Sequence, residues 1–341
     1  MLRLFLCLFS FHLFANAPFF EERLKSAEPG DYWVVAGGKM VTLLSIQSIE
    51  KNSIIFEEIS IPEEKGKMLS LSWPDWIKKK APEHSSWSMF EVDRTSGEII
   101  ECYSFSRGAW LQLSPRESLI ATLMQLPLMQ VPKVDLRRIG PPPLAGEADH
   151  RKIWQPPAIF EGKKTSFLFD AYQTFWPKDG TELAGQKLLL YFDKDIQFPF
   201  PFWIQIETTH AQFSLRTLDA GKHLLSPHKS LPRRIPEWVG QPLKNEEGLR
   251  LALKSPKYYR EFELFAIDVT KKEREILPID FSLIQKEGDL LLLQIEEEIL
   301  KNSLTPGHHY TWLLIPTGHG ESFIQSKKPY TFDVDSKEKI R

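Results

Sequence analysis

The chain is poor in the residues that usually announce chemistry. Only two of its 341 residues are cysteines, Cys7 and Cys102, so an internal disulfide framework or a cysteine-ligated metal site is not expected. An excess of one charge is missing too. The 43 basic and 45 acidic residues leave a net charge of −2 and form no long run of either sign, which argues against nucleic acid as a partner. The densest basic cluster, Lys78-Lys79-Lys80 after Trp76 and Ile77, reads as a solvated helix end. There is no His-Glu-x-x-His, Cys-x-x-Cys, Gly-x-Ser-x-Gly, phosphate loop or dinucleotide fingerprint, so no cofactor and no metal is expected.

What remains of the chemical residues is scattered. His308-His309 with His319 and Glu321 come nearest to a metal site. Neighbours on a strand point to opposite faces, however, so His308 and His309 do not easily share one ion. His210, His223 and His228 fall around turns and read as solvated polar residues. Asp193 and Asp195 are two apart, as paired catalytic carboxylates on one strand face would be, but they end a strand at a loop and read as solvated turn residues. Cys102 sits in the apolar run 99–105, where a small buried thiol is expected and a nucleophile would need a neighbouring base.

Long hydrophobic runs are absent beyond the first residues. Arg3, the apolar stretch 4–14 and Ala15-Asn16-Ala17 form the n-region, core and A-x-A site of a secretory signal peptide, too short to cross a membrane. Pro18, directly after the cut, is an awkward neighbour for a peptidase. The expectation is an exported protein of the periplasm, cell envelope or exterior, either free or in peripheral contact with a membrane.

The sequence does hold period-2 apolar patterns between turn signals. Residues 31–35 and 40–49 flank Gly37-Gly38, a pair suited to a tight hairpin, and residues 54–61 follow. Ser72 before Trp73-Pro74 predicts a short capped helix. Residues 87–93 and 98–105 make a second hairpin, and Ser114-Pro115-Arg116-Glu117 is a capping box opening a helix to about residue 125. A mainly β first domain is predicted over 18–131, as a curled antiparallel sheet or small open barrel with two short helices. Trp33, Trp73, Trp76, Trp87 and Trp110 all fall within it and either fill its core or line a pocket for an apolar ligand. The Pro-rich segment 132–158 is a linker or a strap. Beyond it, Leu188, Leu190 and Phe192 share one strand face, and Phe202, Ile204 and Ile206 another. The pattern returns at Leu249-x-Leu251-x-Leu253 and Phe262-x-Leu264-x-Ala266, either as a repeat or as two unrelated β segments.

Two signatures carry a resemblance. The turn Pro177-Lys178-Asp179-Gly180, the strand Leu188-x-Leu190-x-Phe192 and Ile196 resemble the opening of bacterial immunoglobulin-like domains. Pro306-Gly307-His308-His309-Tyr310 is similar to the approach to a late strand of the same modules. The segment 222–240 between them departs from the pattern. This resemblance implies one or two immunoglobulin-like β-sandwich modules, at 159–240 and 241–336, ahead of a charged tail at 337–341. It also implies a spacer or adhesive role. The chain further resembles exported proteins of chlamydia-type bacteria. The function expected is non-enzymatic binding or structural spacing in the envelope, with another envelope protein or a host protein as partner. The alternatives are a carrier of an apolar ligand in the Trp-rich domain and an envelope hydrolase with an inter-domain site.

A charge in so short an apolar core opposes membrane insertion. Phe9→Arg is expected to retain the protein in the cytoplasm on cell fractionation, and normal export of that variant would remove the signal-peptide reading.

Overall fold

The computed structural model describes residues 19–333, apart from 145, 182, 209–211, 256–258, 260, 288 and 318–322. The leader, Cys7, His210, His319, Glu321 and the tail 337–341 lie outside the described residues. The protein is mainly β, built of antiparallel sheets of which none closes into a barrel. It divides into two compact units, with the boundary between Leu231 and Pro232.

The first unit runs through α1 (Phe19–Leu24), β1 (Tyr32–Gly37), β2 (Met40–Ile49), β3 (Ser53–Pro62), α2 (Glu63–Lys67) and α3 (Trp73–Lys78). It continues with β4 (Ser86–Asp93), β5 (Ile99–Ser104), β6 (Ala109–Leu111), α4 (Leu119–Gln125), β7 (Met129–Gln130), β8 (Ala158–Phe160) and β9 (Lys163–Thr165). The last strands are β10 (Phe169–Phe175), β11 (Lys187–Asp193), β12 (Trp203–Glu207) and β13 (Gln212–Gly221). All except the β8–β9 hairpin join one 11-stranded sheet, ordered β6-β5-β4-β3-β2-β1-β13-β12-β11-β10-β7.

Local chemistry explains the elements. Gly38 has a φ of 60° at the β1–β2 turn, the left-handed conformation that the tight hairpin requires. Ser72 caps α3, its Oγ accepting from the Asp75 N–H. Glu117 Oε2 accepts from the Ser114 N–H at 2.7 Å, as a capping box requires. That box closes only a 3₁₀ turn, and α4 then starts from its own cap, Ser118.

Alternation along the strands gives the sheet two buried faces. One carries Trp33, Leu44, Phe56, Phe90, Leu188, Leu190, Phe192 and Ile204 under α1 and α4. The other carries Tyr32, Val34, Leu43, Ile59 and Trp87 under α3. The second half of the loop from β11 to β12, residues 198–202, is itself buried, with Phe198, Phe200 and Phe202 all in the first core. A buried loop must satisfy its backbone donors. Pro199 and Pro201 have none, and the Asp193 carboxylate accepts from the Ile196 and Phe198 N–H groups at 2.8 and 2.9 Å.

The first-domain boundary expected near 131 is not where the chain divides. Strand β1 pairs with β13, so segments before and after the Pro-rich stretch share a sheet. Strands β10–β13 of the segment 159–240 accordingly extend that sheet instead of forming a sandwich of their own. The Pro-rich stretch is tied to this unit as a strap. The Val131 N–H donates to Ala171 O at 2.8 Å, Arg138 bridges to Ile153, and Trp154 packs edge-on against Tyr191 and Trp203.

The second unit holds β14 (Glu237–Asn245), β15 (Gly248–Lys254), β16 (Phe262–Asp268), β17 (Glu275–Pro278), β18 (Ser282–Glu287) and β19 (Leu290–Glu296). After α5 (Glu297–Ser303) come β20 (His309–Pro316), β21 (Ile324–Gln325) and β22 (Tyr330–Thr331). One sheet is ordered β14-β15-β19-β18; the other is β17-β16-β20-β21, with β22 also on β20. Leu249, Leu251, Leu253, Leu291 and Leu293 of the first share one core with Leu264, Ala266, Tyr310, Trp312 and Leu314 of the second. Two sheets closing on one core make a sandwich.

Irregular backbone fits a protease cleft, whereas a bonded segment must first detach. Trypsin acting on native protein is expected to cut first at Lys229, Arg233 or Arg234, in the irregular chain near the unit boundary. First cuts at Arg137, Arg138, Arg151 or Lys152, read by mass spectrometry, would show that the strap is not held.

Candidate functional site

The five tryptophans singled out from the sequence do not surround one space. Trp33 is buried on the α1/α4 face, stacked on Phe200 with centroids 5.7 Å apart, and its Nε1 donates to Thr217 Oγ1 at 2.7 Å. Trp76 is buried on the opposite face, donating to Pro82 O at 3.0 Å, with Trp73 edge-on to it. Trp87 lies on that same face. Trp110, at the β6 edge, is 44% exposed beside Tyr103. Trp33 and Trp87 point to opposite faces of the sheet, where a one-residue shift reverses the face, and Trp73 and Trp76 belong to α3 on the second face.

A polar cluster is built around Glu57, which strand β3 buries completely. Its Oε1 accepts from Trp87 Nε1 and Ser226 Oγ, each at 2.7 Å, and its Oε2 accepts from Gln47 Nε2 at 2.9 Å. Burial pushes this carboxyl above its ordinary value, partly offset by the Ser226 and Trp87 hydrogen bonds. His228 is half-buried instead of solvated. Its ring stacks on Phe105 at 3.7 Å and stands edge-on to Trp87 at 4.7 Å, and burial lowers its pKa, helped by Lys80. Serine, histidine and glutamate thus meet here, yet not as a relay. Ser226 donates to Glu57, and it is the backbone N–H of His228, at 3.0 Å, that reaches Ser226 Oγ. A nucleophile needs the imidazole as its base. Here the imidazole serves as a stacking plate that fastens the segment after β13.

The other candidates are also committed to structure. Asp193 is completely buried, not solvated, and holds the β11–β12 loop, while Asp195 accepts from the Leu168 N–H at 2.8 Å. Cys102 is buried, its thiol pushed up to about 12 by burial and by Glu58 and Glu101, which keeps it protonated and unreactive. His308 Nδ1 meets Asp268 Oδ2 at 2.8 Å, whereas His309 Nδ1 meets Thr331 Oγ1 at 2.8 Å. The two rings therefore serve different partners. Burial raises the Asp268 carboxyl, but the His308 ring and the Thr270 amide outweigh it and hold the carboxyl below its ordinary value.

Two concave spaces are lined by described residues. In the second unit a cleft of about 490 Å³ lies beside Trp238, Val239, Leu251 and Ile324, with Lys327 and Lys328 at its rim. In the first unit a cavity of about 260 Å³ lies between strands β1–β3 and the start of α4, lined by Trp33, Leu44, Leu119, Leu215 and Glu58. Sequence reasoning reached only Trp33 of the first-unit cavity and nothing of the cleft in the second unit. Trp238 stands in an irregular, mostly exposed strand and Glu58 in a strand buried on both faces, arrangements that depend on distant packing.

Asp31, Glu57, Glu58, Asp193 and Asp219 are all raised, with burial as the largest cause of each. Such carboxyls support folding fully below their ordinary, unfolded values, and that support is lost as pH rises through the folded values. The first unit is expected to gain stability as pH falls from neutral toward the carboxylate range. Glu57→Gln should make that slope shallower, and Glu57→Ala, which strands buried donors, should cost about 2–4 kcal/mol. Urea unfolding across a pH series measures both effects, and an unchanged slope in Glu57→Gln would contradict the raised carboxyl.

The family described as CT021 protein matches residues 42–166, from β2 through β9. A solved structure, that of the hypothetical protein CT021 from Chlamydia trachomatis, is 18% identical with a TM-score of 0.46, covering 63% of this chain and 98% of that one. No curated protein matches the chain. The chain is thus similar, within its first unit, to the CT021 protein family, and it resembles chlamydial hypothetical proteins.

Proposed function

We propose that the protein works by binding, without chemistry of its own, as an exported component of the cell envelope, and that its second unit is an immunoglobulin-like module. The observation that carries this reading is the strand order of the sandwich. In chain order, β14 to β21 take the places of strands A, B, C, C′, D, E, F and G, giving sheets A-B-E-D and C′-C-F-G. A second feature supports it. Tyr310, near the start of β20, accepts at its hydroxyl from the Thr305 N–H at 2.8 Å, the tyrosine corner of such modules. The Glu57, Ser226 and His228 geometry also favours binding over catalysis, because each group is already engaged in holding the fold.

The binding surface in this reading is the cleft beside Trp238. It falls within the usual size of a ligand site and is bordered by β14 and β21, the outer strands of their sheets. Val239 is exposed there, and Lys327 and Lys328 lie on the rim with Glu237. The apolar floor and mainly basic rim suit an acidic, extended segment of a partner protein of the envelope or host surface. A photo-crosslinking amino acid at Val239 is expected to capture one polypeptide in cells, and the same probe at Leu168 in the first unit is not. Equal labelling from both positions, or none from Val239, would defeat this assignment.

A further inference from the structure

The cavity of the first unit carries an unusual carboxylate. Glu58 pairs across the sheet with Leu44, which pairs with Trp33, so the three side chains stand in one row on the α4 face. Leu119 and Ile120 from α4 and Leu215 from β13 close over them, with Glu117 at the helix start. Among the described residues Glu58 has no hydrogen-bond or ion-pair partner, whereas Glu57, next in sequence and on the other face, has three close ones. Glu58 is half-buried and lines a space surrounded mainly by apolar groups. Burying a carboxylate without a counter-charge is costly, and burial is what raises this carboxyl above its ordinary value. A core that needed only packing would carry an apolar residue at this position.

We propose that this cavity is a binding site for a small organic cation, with Glu58 as the counter-charge and Trp33, Leu44, Leu119 and Leu215 as the apolar walls. A ligand with one ammonium group and a compact apolar body satisfies both halves of the site. The ammonium supplies the missing partner of Glu58, and the aromatic wall of Trp33 adds a cation–π attraction. The volume, about 260 Å³, falls below the range of drug-sized pockets and excludes long lipid chains. Glu117, engaged by the Ser114 amide, adds negative potential at the mouth. Anions are disfavoured on the same grounds. This site does not depend on the immunoglobulin-like reading of the second unit.

The test uses the full chain with two probes of nearly equal shape, benzylammonium and benzyl alcohol, titrated calorimetrically at pH 8. The ammonium is expected to bind at least about 10-fold more tightly than the alcohol, the preference that one counter-charge in a part-buried site can provide. Glu58→Gln should bring the two affinities within about 2-fold of each other while leaving alcohol binding in place. Leu119→Trp, which fills the space and leaves Glu58 intact, should abolish both. Cooperative unfolding of each variant checks that it is folded. Equal binding of the two probes, no binding of either, or an ammonium preference that survives Glu58→Gln or Leu119→Trp would each overturn the proposal.

Discussion

The first unit depends on one pairing, that of β1 with β13. Tyr32 lies opposite Gly221, Trp33 opposite Ala220 and Val34 opposite Asp219. This contact joins chain segments nearly two hundred residues apart and turns two strand series into one 11-stranded sheet. Side chains reinforce the backbone ladder from both faces. Trp33 Nε1 donates to Thr217 Oγ1 on one face, and the Tyr32 hydroxyl meets Asp219 Oδ2 at 3.2 Å on the other. Gly221 is required by packing. A Cβ there would fall 2.7–2.8 Å from the Tyr32 ring, closer than any side chain tolerates, so the ring can lie on the strand only because that position is bare. Long-range antiparallel pairing brings no return until its loop entropy has been met. The aromatic and polar contacts on both faces supply what such a late-forming ladder needs.

The buried acids follow from the same sheet. A large sheet with both faces covered forces its connecting loops to run close to apolar layers, where backbone N–H groups lose water. Carboxylates answer that need. Asp193 takes two amides of the aromatic loop, Asp219 takes the Gly162 and Ala220 amides, and Asp31 takes the Glu28 amide. Each is raised by burial and brought back partway by its backbone donors. These residues would be natural suspects for catalysis in a sequence search, and their partners show them fastening loops.

Local features were legible in the sequence and distant pairings were not. Strand β2 runs Met40–Ile49 as its alternation indicated, Ser72 caps α3, and Leu188, Leu190 and Phe192 face the core. All of these rest on neighbours within a few residues. The 61-residue echo between β11 and β15 illustrates the opposite case. Strand β11 pairs with its successor β12, whereas β15 pairs with β19 and sits in the sheet opposite β16. Alternation is common to every half-buried strand, so it reports a face and not a partner. The same blindness placed a domain border at the prolines of 132–158, where backbone stiffness resembles a linker until Trp154 is seen against Tyr191 and Trp203. The true border lies inside 222–240, the segment that already departed from the immunoglobulin-like pattern. Of the candidate sites, only Trp33 was visible in advance, and its partner Glu58 was not.

The two concave spaces differ in a way that composition hides, because a net charge of −2 averages over both. In the second unit, residues 240–242 of β14 form an irregularity between Val239 and Leu243, with Gly240 at a φ of 71° and Pro242 lacking a donor. Bulges and prolines on an outer strand discourage a further strand from pairing along it. The cleft beside that strand is lined by side chains that include Lys327 and Lys328. In the first unit the space lies between a sheet and a helix, and its charge comes from Glu58, set among apolar walls, and from Glu117 at the rim. The opposite charge of the two linings sets them apart chemically. Composition averages over these local differences, so a chain with a net charge of −2 still carries two concave linings of opposite sign.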